Sequence, residues 1–348
     1  MLPVHALDLE GAESLVEDLG LPRYRAEQVL RWVYRRGVDD PGAMSDLPAN
    51  ARGALRARIG GRAVSVDTVQ SSTDGTRKMA VRLADGRLVE SVLIPDRERR
   101  TLCLSSQVGC AMGCSFCATA RLGLERSLRV EEIVGQVIEG RALALDGEPD
   151  GRGLTNLVFM GMGEPLHNIE ALLPALRILT SPWGLEISPR RITVSTVGLV
   201  PEMKRLLQES RVHLAVSLGA TTEEKRRELM PVTRKYSLAL LLETCRDLPI
   251  PRRKRITFEY TLLADQNDSD EDARRLARLL HGIRAKVNLI HWNPFPDGGY
   301  QRASRAKAEH FQRILLDQGI STSIRESRGP DIDAACGQLA GRSGPPAD

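Results

Sequence analysis

The sequence predicts an α/β protein built on an incomplete (β/α)6 barrel, preceded by a small helical domain and a β-hairpin extension. Six short apolar runs are each followed by a longer amphipathic segment, which is the pattern of parallel strands joined by helices. Six units leave one side of a barrel open, and functional residues are expected at the carboxyl ends of its strands. Four of the six cysteines lie within residues 103–117, at the end of the first such strand. The predicted boundaries are 1–60 for the helical domain, 61–95 for the hairpin, 96–330 for the barrel and 331–348 for a C-terminal tail.

The composition is that of an ordinary soluble protein. The 348 residues are 42% hydrophobic and 27% charged, and a chain of this length buries a large core. The N-terminal stretch MLPVHALDLEGAESL has no basic region followed by an apolar one, and no run of about eighteen apolar residues occurs. We therefore predict neither secretion nor a membrane span. A cytoplasmic location is expected, because clustered thiols in a reducing compartment more often hold metals or do chemistry than form structural disulfides.

Positive charge is concentrated in three places, although the net charge is only +4. The clusters are RERR at 97–100, the arginine pair at 190–191, and RRKR at 252–255. Each cluster alone is more often a solvated face than a binding site. Taken together, they allow a phosphate-binding surface.

The N-terminal region is predicted to be helical up to about residue 58. Apolar residues recur at helical spacing within 24–36, and Gly37 supplies a stop. The stretch SDLP at 45–48 predicts a turn into another short helix. This module is too small for an active site of its own, so we interpret it as an RNA-contacting or docking appendage.

Strands are predicted from residue 62 to residue 94. Residues 78–83 and 87–94 form a hairpin around Asp85-Gly86, because Asp-Gly is a tight-turn signal. Alternation places Glu90 on one face with Leu88, Val92 and Ile94. A desolvated carboxylate there is suited to accept or donate a proton. Equally, Glu90 could be an edge-strand residue that reaches solvent or pairs with an arginine.

Six strand-and-helix pairs make up the predicted barrel. Each pair consists of an apolar run and the amphipathic segment that follows it. The pairs are 101–105 with a helix from 130, 157–160 with one from 168, 192–196 with 201–207, 212–218 with 221–229, 256–262 with a helix capped by Ser269, and 287–292 with 304–316.

The loop after the first strand carries three thiols, Cys110, Cys114 and Cys117, in a C-x-x-x-C-x-x-C spacing. A structural zinc site needs four ligands, and neither a second cysteine pair nor a His pair lies nearby. Three cysteines can hold a [4Fe–4S] cluster and leave one iron free for another ligand. This spacing, with Phe116 before the last cysteine, is similar to the signature of the radical S-adenosylmethionine (SAM) superfamily. We therefore favour a cluster over zinc or inert thiols.

Polar and glycine residues follow several of the other predicted strands. The turn GMGEP at 161–165 allows close backbone approach to a ligand, and Glu164 could meet an ammonium group. Ser195, Ser217 and Asn293 end three further strands. Hydroxyl and amide groups there could bind a ribose, an adenine or a carboxylate. The alternative for each is a helix cap.

Two further cysteines are candidates for chemistry. Cys103 shares a strand face with Thr101 and Ser105, so it is predicted to point into the barrel near the three-thiol loop. Cys336 lies far off in sequence and could reach the same place from the tail. The alternative is two ordinary buried thiols, which is our interpretation of Cys245.

Five segments together resemble the RlmN/Cfr family of radical SAM adenosine methyltransferases, and the RlmN branch most closely. They are CLSSQVGCAMGCSFCATARLG, VFMGMGEPLHN, RRITVSTVGLVP, NLIHWNPFP and SRGPDIDAACGQLAG, and the resemblance runs along essentially the whole chain. It implies methylation of carbon 2 of an adenosine in the peptidyl transferase centre of 23S rRNA and of the adenosine next to the anticodon of certain tRNAs. It also implies a [4Fe–4S] cluster, SAM, an electron donor such as flavodoxin or ferredoxin, and a monomer.

The resemblance also assigns roles to residues. Cys110, Cys114 and Cys117 match the cluster ligands, and Cys336 matches the cysteine that is itself methylated. Glu90 matches the proton acceptor, and Cys103 matches the thiol that resolves the intermediate. The SAM contacts are matched by Gly163, Glu164, Ser195, Ser217, Leu218, Gly219 and Asn293.

The mechanism implied by the resemblance uses both cysteines outside the loop. One SAM methylates Cys336, and a second is cleaved to a 5′-deoxyadenosyl radical that takes hydrogen from that methyl. The methylene radical adds to carbon 2, Glu90 removes the carbon-2 proton, and a disulfide between Cys103 and Cys336 releases the product. This route suits carbon 2, which lies between two ring nitrogens and is too electron-poor to attack SAM directly.

The chain departs from the family at one position, and two alternative functions stay open. The family commonly has Ser-Leu-His where this chain has Ser217-Leu218-Gly219. We expect the backbone to make the contact, because glycine permits the closest approach. The alternatives are Cfr-type methylation at carbon 8, which needs the same cysteines, and a non-catalytic cluster protein that binds RNA or senses redox state.

Overall fold

The computed structural model describes residues 2–146, 153–296 and 298–341. Twelve strands are present in this part of the chain. They are β1 (Val64–Ser71), β2 (Arg77–Leu83), β3 (Leu88–Asp96), β4 (Arg99–Cys103), β5 (Gln107–Gly109), β6 (Leu124–Ser127), β7 (Asn156–Phe159), β8 (Ile192–Thr196), β9 (His213–Ser217), β10 (Ile256–Leu262), β11 (Ala285–His291) and β12 (Thr322–Arg325).

Eleven α-helices accompany these strands in the described ranges. They are α1 (Leu9–Asp18), α2 (Arg25–Leu30), α3 (Ala49–Arg58), α4 (Ala118–Arg121), α5 (Val130–Leu145), α6 (Ile169–Thr180), α7 (Val200–Glu209), α8 (Glu223–Leu229), α9 (Leu238–Asp247), α10 (Asp270–Leu280) and α11 (Arg305–Asp317). A wider π-helical segment, Arg31–Arg35, continues α2. Among the described residues, no helix combines the length and the apolar character that crossing a membrane requires.

Ten of the strands form one open sheet in the order β1-β2-β3-β4-β7-β8-β9-β10-β11-β12. The first four pair antiparallel, and from β4 onward every neighbour is parallel. The predicted α/β architecture of six strand-and-helix units with an added hairpin is therefore confirmed. β12 is not among the predicted strands, because its four residues are half-buried or exposed and include no apolar run.

Alternation along the parallel strands separates the core from the functional edge. In β8, Ile192, Val194 and Thr196 are buried, while Ser195 between them is half-buried. The apolar residues pack towards the helices because strand side chains alternate between the two faces of a sheet. The polar residue at the carboxyl end is thereby left on the other face, where a ligand can reach it.

A buried histidine joins the N-terminal segment to the barrel. His5 lies in a short 3₁₀ turn against α5 and is only 3% exposed, and its Nδ1 has no hydrogen-bond partner among the described residues. Burial lowers the pKa of His5 from 6.5 to about 4. In the unfolded chain the imidazole titrates at its ordinary value, so the unfolded state binds more protons between these two pH values.

We therefore expect the folded state to lose stability as pH falls from about 6.5 towards 4, with about 2 kcal/mol of this effect present by pH 5. The variant His5→Leu should lack this increment. Urea denaturation at pH 7 and pH 5 measures it as the difference between the two proteins' pH-dependent losses. Identical losses in both proteins would show that His5 is not the group that titrates.

Candidate active site

A cavity of about 160 Å³ lies at the carboxyl ends of the parallel strands. The cysteine loop, the turn after β7, the ends of β8 to β11, and the C-terminal segment all contribute to its wall. The lining includes Cys117, Gly161, Gly163, Glu164, Ser195, Ser217, Gly219, Glu259, Arg325 and Cys336. Residues from eight regions of the sequence, including Arg325 at the end of β12, therefore meet where the fold class predicts a site.

The cysteine loop is buried and is held in place by hydrogen bonds to two other segments of the chain. Cys110 and Cys114 are 8% and 6% exposed, and Cys117 lines the cavity. Ser115 N donates to Leu229 O at 3.0 Å, and Trp292 Nε1 donates to Phe116 O at 3.0 Å. Burial, followed by the proximity of Cys117 and Cys110, raises the pKa of the Cys114 thiol well above its ordinary value. The three sulfurs are thus near enough to influence one another.

The donor set fits an iron–sulfur cluster better than the alternatives. Thiolates are the usual holders of such clusters, and three thiols leave one position of a four-ligand structural zinc site unfilled. In the described ranges, no three Cys, His, Asp or Glu side chains are yet gathered tightly enough to hold a metal ion.

The turn after β7 presents backbone and a buried carboxylate to the cavity. Gly163 has φ +94°, and a Cβ there would lie 2.5 Å from Gln107 Cβ, so only glycine fits. Gln107 Oε1 accepts from Glu164 N at 2.9 Å, which fixes the turn. The Glu164 carboxylate accepts from Leu166 N and Val197 N. Burial raises its pKa to about 7.

Four residues at the ends of β8 and β9 are predicted to contact SAM, and three of them line the cavity. Ser195 and Ser217 line the cavity, whereas the Leu218 side chain is fully buried in the core. Gly219 has φ +76°, and a Cβ there would lie 2.3 Å from Met230 Sδ. No larger residue fits without a shift of Met230. The predicted contact through the backbone of Gly219 stays a prediction.

Cys336 stands between two cavities. It lines the larger one together with Cys117, and it also lines a smaller adjoining cavity of about 20 Å³ together with Cys103 and Asn293. Cys103 ends β4 and is buried between Val92 of β3 and Val158 of β7. Burial and then Cys336 raise the pKa of the Cys103 thiol to about 12. The fold therefore brings together two thiols that are far apart in sequence.

The C-terminal segment that carries Cys336 is held by polar contacts. Asn293 Nδ2 donates to Cys336 O at 3.1 Å, so the asparagine positions this segment and does not line the larger cavity. Gly337 O accepts from Ala118 N at 2.8 Å, and Leu339 O accepts from Thr119 Oγ1 at 2.6 Å. The cysteine loop and the segment are therefore bonded directly to each other. Residues 342–348 of the predicted tail lie outside the described residues.

Glu90 belongs to the same attachment. Its Oε2 accepts from Ala340 N at 2.6 Å and from Gly341 N at 2.9 Å, and its Oε1 lies 3.0 Å from Lys78 Nζ. The carboxylate is buried as the sequence suggested, but its partner is a lysine and not an arginine. Glu90 is not among the described residues that line either cavity.

Sequence reasoning missed two polar residues of the cavity wall. Arg325 ends β12, lines both cavities, and has no carboxylate within ion-pair distance among the described residues. Cys336, then Glu259 and Cys103, raise the pKa of Arg325. Glu259 is 5% exposed, and its Oε2 has no hydrogen-bond partner in the described part of the chain. Such an orphaned oxygen suits a hydroxyl or ammonium group of a ligand, and SAM carries both.

Sequence reasoning also missed Arg226, whose side chain donates hydrogen bonds to the backbone just beyond the ends of β8 and β9. It is completely buried and donates to Leu218 O at 2.9 Å, Val197 O at 2.6 Å and Thr233 Oγ1 at 2.7 Å. Burial lowers its pKa to about 10. The sequence places Arg226 in the charged run EEKRRE, which is typical of an exposed helix. No signal in that run distinguishes it from Arg227, which is exposed.

Two family models match this chain. The model described as the Radical SAM superfamily matches residues 104–277. The model described as the ribosomal RNA large subunit methyltransferase N-terminal domain matches residues 4–60.

Proteins of known name are similar over nearly the whole chain. A dual-specificity RNA methyltransferase RlmN from Syntrophotalea carbinolica is 50% identical, across 96% of this chain and 88% of its own length. Another from Anaeromyxobacter dehalogenans is 48% identical, across 98% and 92%. The crystal structure of a radical SAM methyltransferase from Sphaerobacter thermophilus superposes with a TM-score of 0.93 at 43% identity, covering 98% of this chain and 100% of that one.

Proposed function

The chain belongs to the RlmN family of radical SAM RNA methyltransferases, and from this premise we propose that it methylates carbon 2 of adenosine in 23S rRNA and in tRNA through a methylated Cys336. Two SAM are used per turnover, one to methylate Cys336 and one to remove hydrogen from that methyl. The observation that carries this proposal is the position of Cys336 in the wall between two cavities. Cys117 lies on one side of that wall, and Cys103 lies on the other.

Cys110, Cys114 and Cys117 would hold the [4Fe–4S] cluster, which supplies the electron for reductive cleavage of SAM when it is bound. Glu164, Ser195, Ser217 and the backbone at Gly163, Leu218 and Gly219 would bind SAM, and Asn293 would act through its bond to Cys336 O. A cytoplasmic location and a flavodoxin or ferredoxin as electron donor belong to the same proposal, as does action as a monomer.

Cys336 would accept the methyl on its sulfur, beside the half-buried Arg325 that lines the same two cavities. After carbon–carbon bond formation, Cys336 and the RNA base would share one methylene carbon. The adduct would lose its carbon-2 proton to Glu90 and its one surplus electron to the oxidised cluster that Cys110, Cys114 and Cys117 would hold. The Cys103 sulfur would then bond to the Cys336 sulfur while the sulfur–methylene bond breaks. The methylene carbon takes up a proton and becomes the methyl group of the product.

Glu90 would take the carbon-2 proton once the C-terminal segment has shifted. We expect Glu90→Gln to lower methylation by roughly 10²- to 10⁴-fold, the usual contribution of a general base. The methylated form of Cys336 should still appear in a mass spectrum of the variant protein, because that step precedes the proton transfer.

The matched control is Lys78→Gln, which removes the same buried ion pair and leaves the carboxylate in place. Lys78→Gln should keep most of the activity. Equal losses in the two variants would identify the pair as an anchor of the C-terminal segment and would exclude Glu90 as the proton acceptor.

The function is tested by anaerobic reaction of the reconstituted protein with SAM, a reductant and either 23S rRNA or tRNA. Nucleosides from the digested RNA are then compared with standards of 2-methyladenosine and 8-methyladenosine by mass spectrometry. We expect 2-methyladenosine from both RNAs. The 8-methyl isomer would contradict the proposed position, and SAM cleavage without methylated RNA would contradict the proposed substrates.

A further inference from the structure

A second large cavity, of about 710 Å³, lies at the opposite ends of the strands that form the candidate active site. Arg190 precedes β8, Arg211 precedes β9, and residues 252–255 precede β10. These three strands are neighbours and run parallel, so the segments before them meet at one edge of the sheet. Two of the basic clusters seen in the sequence, some sixty residues apart, thereby line a single cleft.

The cleft carries positive charge that is not neutralised by the protein. Its described lining contains five arginines and one lysine and no aspartate or glutamate. The five arginines Arg190, Arg211, Arg252, Arg253 and Arg255 are exposed, and none of them makes an ion pair within the described residues. Elsewhere, exposed arginines such as Arg278 and Arg305 do pair with carboxylates.

The cations of the cleft also affect one another. Burial, then Arg190 and Arg211, lower the pKa of Lys254. Lys254 Nζ donates to Arg211 O, which joins the segments before β9 and β10. A concentration of like charge costs stability unless a partner of opposite charge compensates it. The arrangement therefore indicates an anionic ligand.

We propose that this cleft binds the phosphate backbone of the RNA substrate at a place remote from the methylated nucleotide. Guanidinium groups bind phosphates in a bidentate manner, and five of them here face solvent. No Phe, Tyr or Trp lines the cleft in the described residues, so neither base stacking nor the aromatic anchor of a protein interface is available. Contacts to backbone phosphates remain, and they carry affinity without sequence specificity.

The distance between the cleft and the catalytic cavity sets a minimum length for an RNA that occupies both. The strands separate the cleft from the catalytic cavity by about 15 Å, at a rise of about 3.3 Å per residue. An RNA that occupies both must pass around the edge of the sheet, so a short oligonucleotide cannot occupy the two sites at once. The inference rests on RNA being the substrate, but not on the position that is methylated.

The test compares the triple variant R211Q/R252Q/R253Q with wild-type protein in equilibrium binding to full-length tRNA at increasing salt. Each lost phosphate contact should reduce the slope of log affinity against log salt by roughly 0.7 to 0.9. Between 50 and 200 mM salt, we therefore expect the affinity of wild-type protein to fall roughly 20- to 40-fold more than that of the variant. A short hairpin that contains only the target adenosine cannot span both sites, so wild type and variant should methylate it at equal rates.

The matched control is R274Q/R278Q/R305Q, which removes three exposed arginines that are paired with carboxylates on α10 and α11. Its net charge equals that of the test variant, and its salt slope should match wild type. Equal slopes in all three proteins would overturn the proposal. A variant that binds RNA normally but turns over slowly with a protein electron donor, and normally with dithionite, would assign the cleft to an acidic protein and would also overturn it.

If the tRNA is not methylated by the wild-type protein, the proposed substrate fails while the binding result still stands. Methylation that proceeds normally together with unchanged salt slopes would leave the proposed function intact and exclude only the cleft. The two failures are therefore distinguishable. Thermal unfolding of each variant checks that the substituted side chains, all on the surface, leave the fold unchanged.

Discussion

Cys336→Ala is expected to abolish RNA methylation, with a loss of at least about a thousandfold, because the variant has no atom that can accept a methyl group. The thiolate of Cys336 is the proposed nucleophile, and alanine has no lone pair in its place. The side chain lines the wall between two cavities and is not packed in the core, so its removal should leave the fold intact. Methylated RNA is measured by nucleoside mass spectrometry.

Two controls show whether the loss of methylation is due to the Cys336 sulfur alone. Iron content and cluster absorbance should equal those of wild type, because the three loop cysteines are unchanged. The matched control is Cys245→Ala, which removes a buried thiol from α9 that lines neither cavity. That control should remain active. Normal methylation by Cys336→Ala would exclude a methylated Cys336 and with it the whole proposed route.

The parts of the site that the sequence predicts are those encoded by short-range patterns. The spacing of Cys110, Cys114 and Cys117 is local, so it indicates a cluster loop before any fold is known. Polar residues such as Ser195 and Ser217 stand at the ends of apolar runs, and parallel strands bring such ends to one edge. The cavity shows that these residues do meet.

The proximity of Cys103 to Cys336, in contrast, is not encoded by a short-range sequence pattern. No local pattern joins two thiols on β4 and in the C-terminal segment. The sequence indicated only that Cys336 could reach the same place as Cys103, and the resemblance to a family paired the two. The structure places both on one small cavity. Topology explains the proximity, since β4 lies within the sheet while the C-terminal segment returns across the cysteine loop and bonds to Ala118 and Thr119.

The residues missed by sequence reasoning have partners that are remote along the chain. Arg325 lies in the polar stretch TSIRES, where nothing distinguishes a buried arginine from an exposed one. Arg226 is hidden in the same way among charged neighbours, although its guanidinium bonds to the ends of two strands. Burial of a charged group depends on tertiary contacts that supply its hydrogen-bond partners, and a local pattern does not contain them.

Cys103→Ala should convert the enzyme from one that turns over to one that retains its RNA. In the proposed route, the methylene carbon is bonded at once to the Cys336 sulfur and to the RNA base, and only attack by the Cys103 sulfur breaks the sulfur–carbon bond. Cys103 shares the smaller cavity with Cys336, and no other cysteine lines it. Without that thiol, the reaction should stop after about one event per chain, with covalently linked protein and RNA.

A denaturing gel with labelled RNA measures this outcome as a band of reduced mobility that disappears after ribonuclease treatment. The double variant Cys103→Ala, Cys336→Ala should give no such band, because it has no sulfur to which the RNA can be bonded. Cys245→Ala, which also removes one buried thiol, should release its product as wild type does. If Cys103→Ala released methylated RNA over many turnovers, another group would have to resolve the intermediate. The position of Cys103 in the shared cavity would then reflect packing and not a role in the reaction.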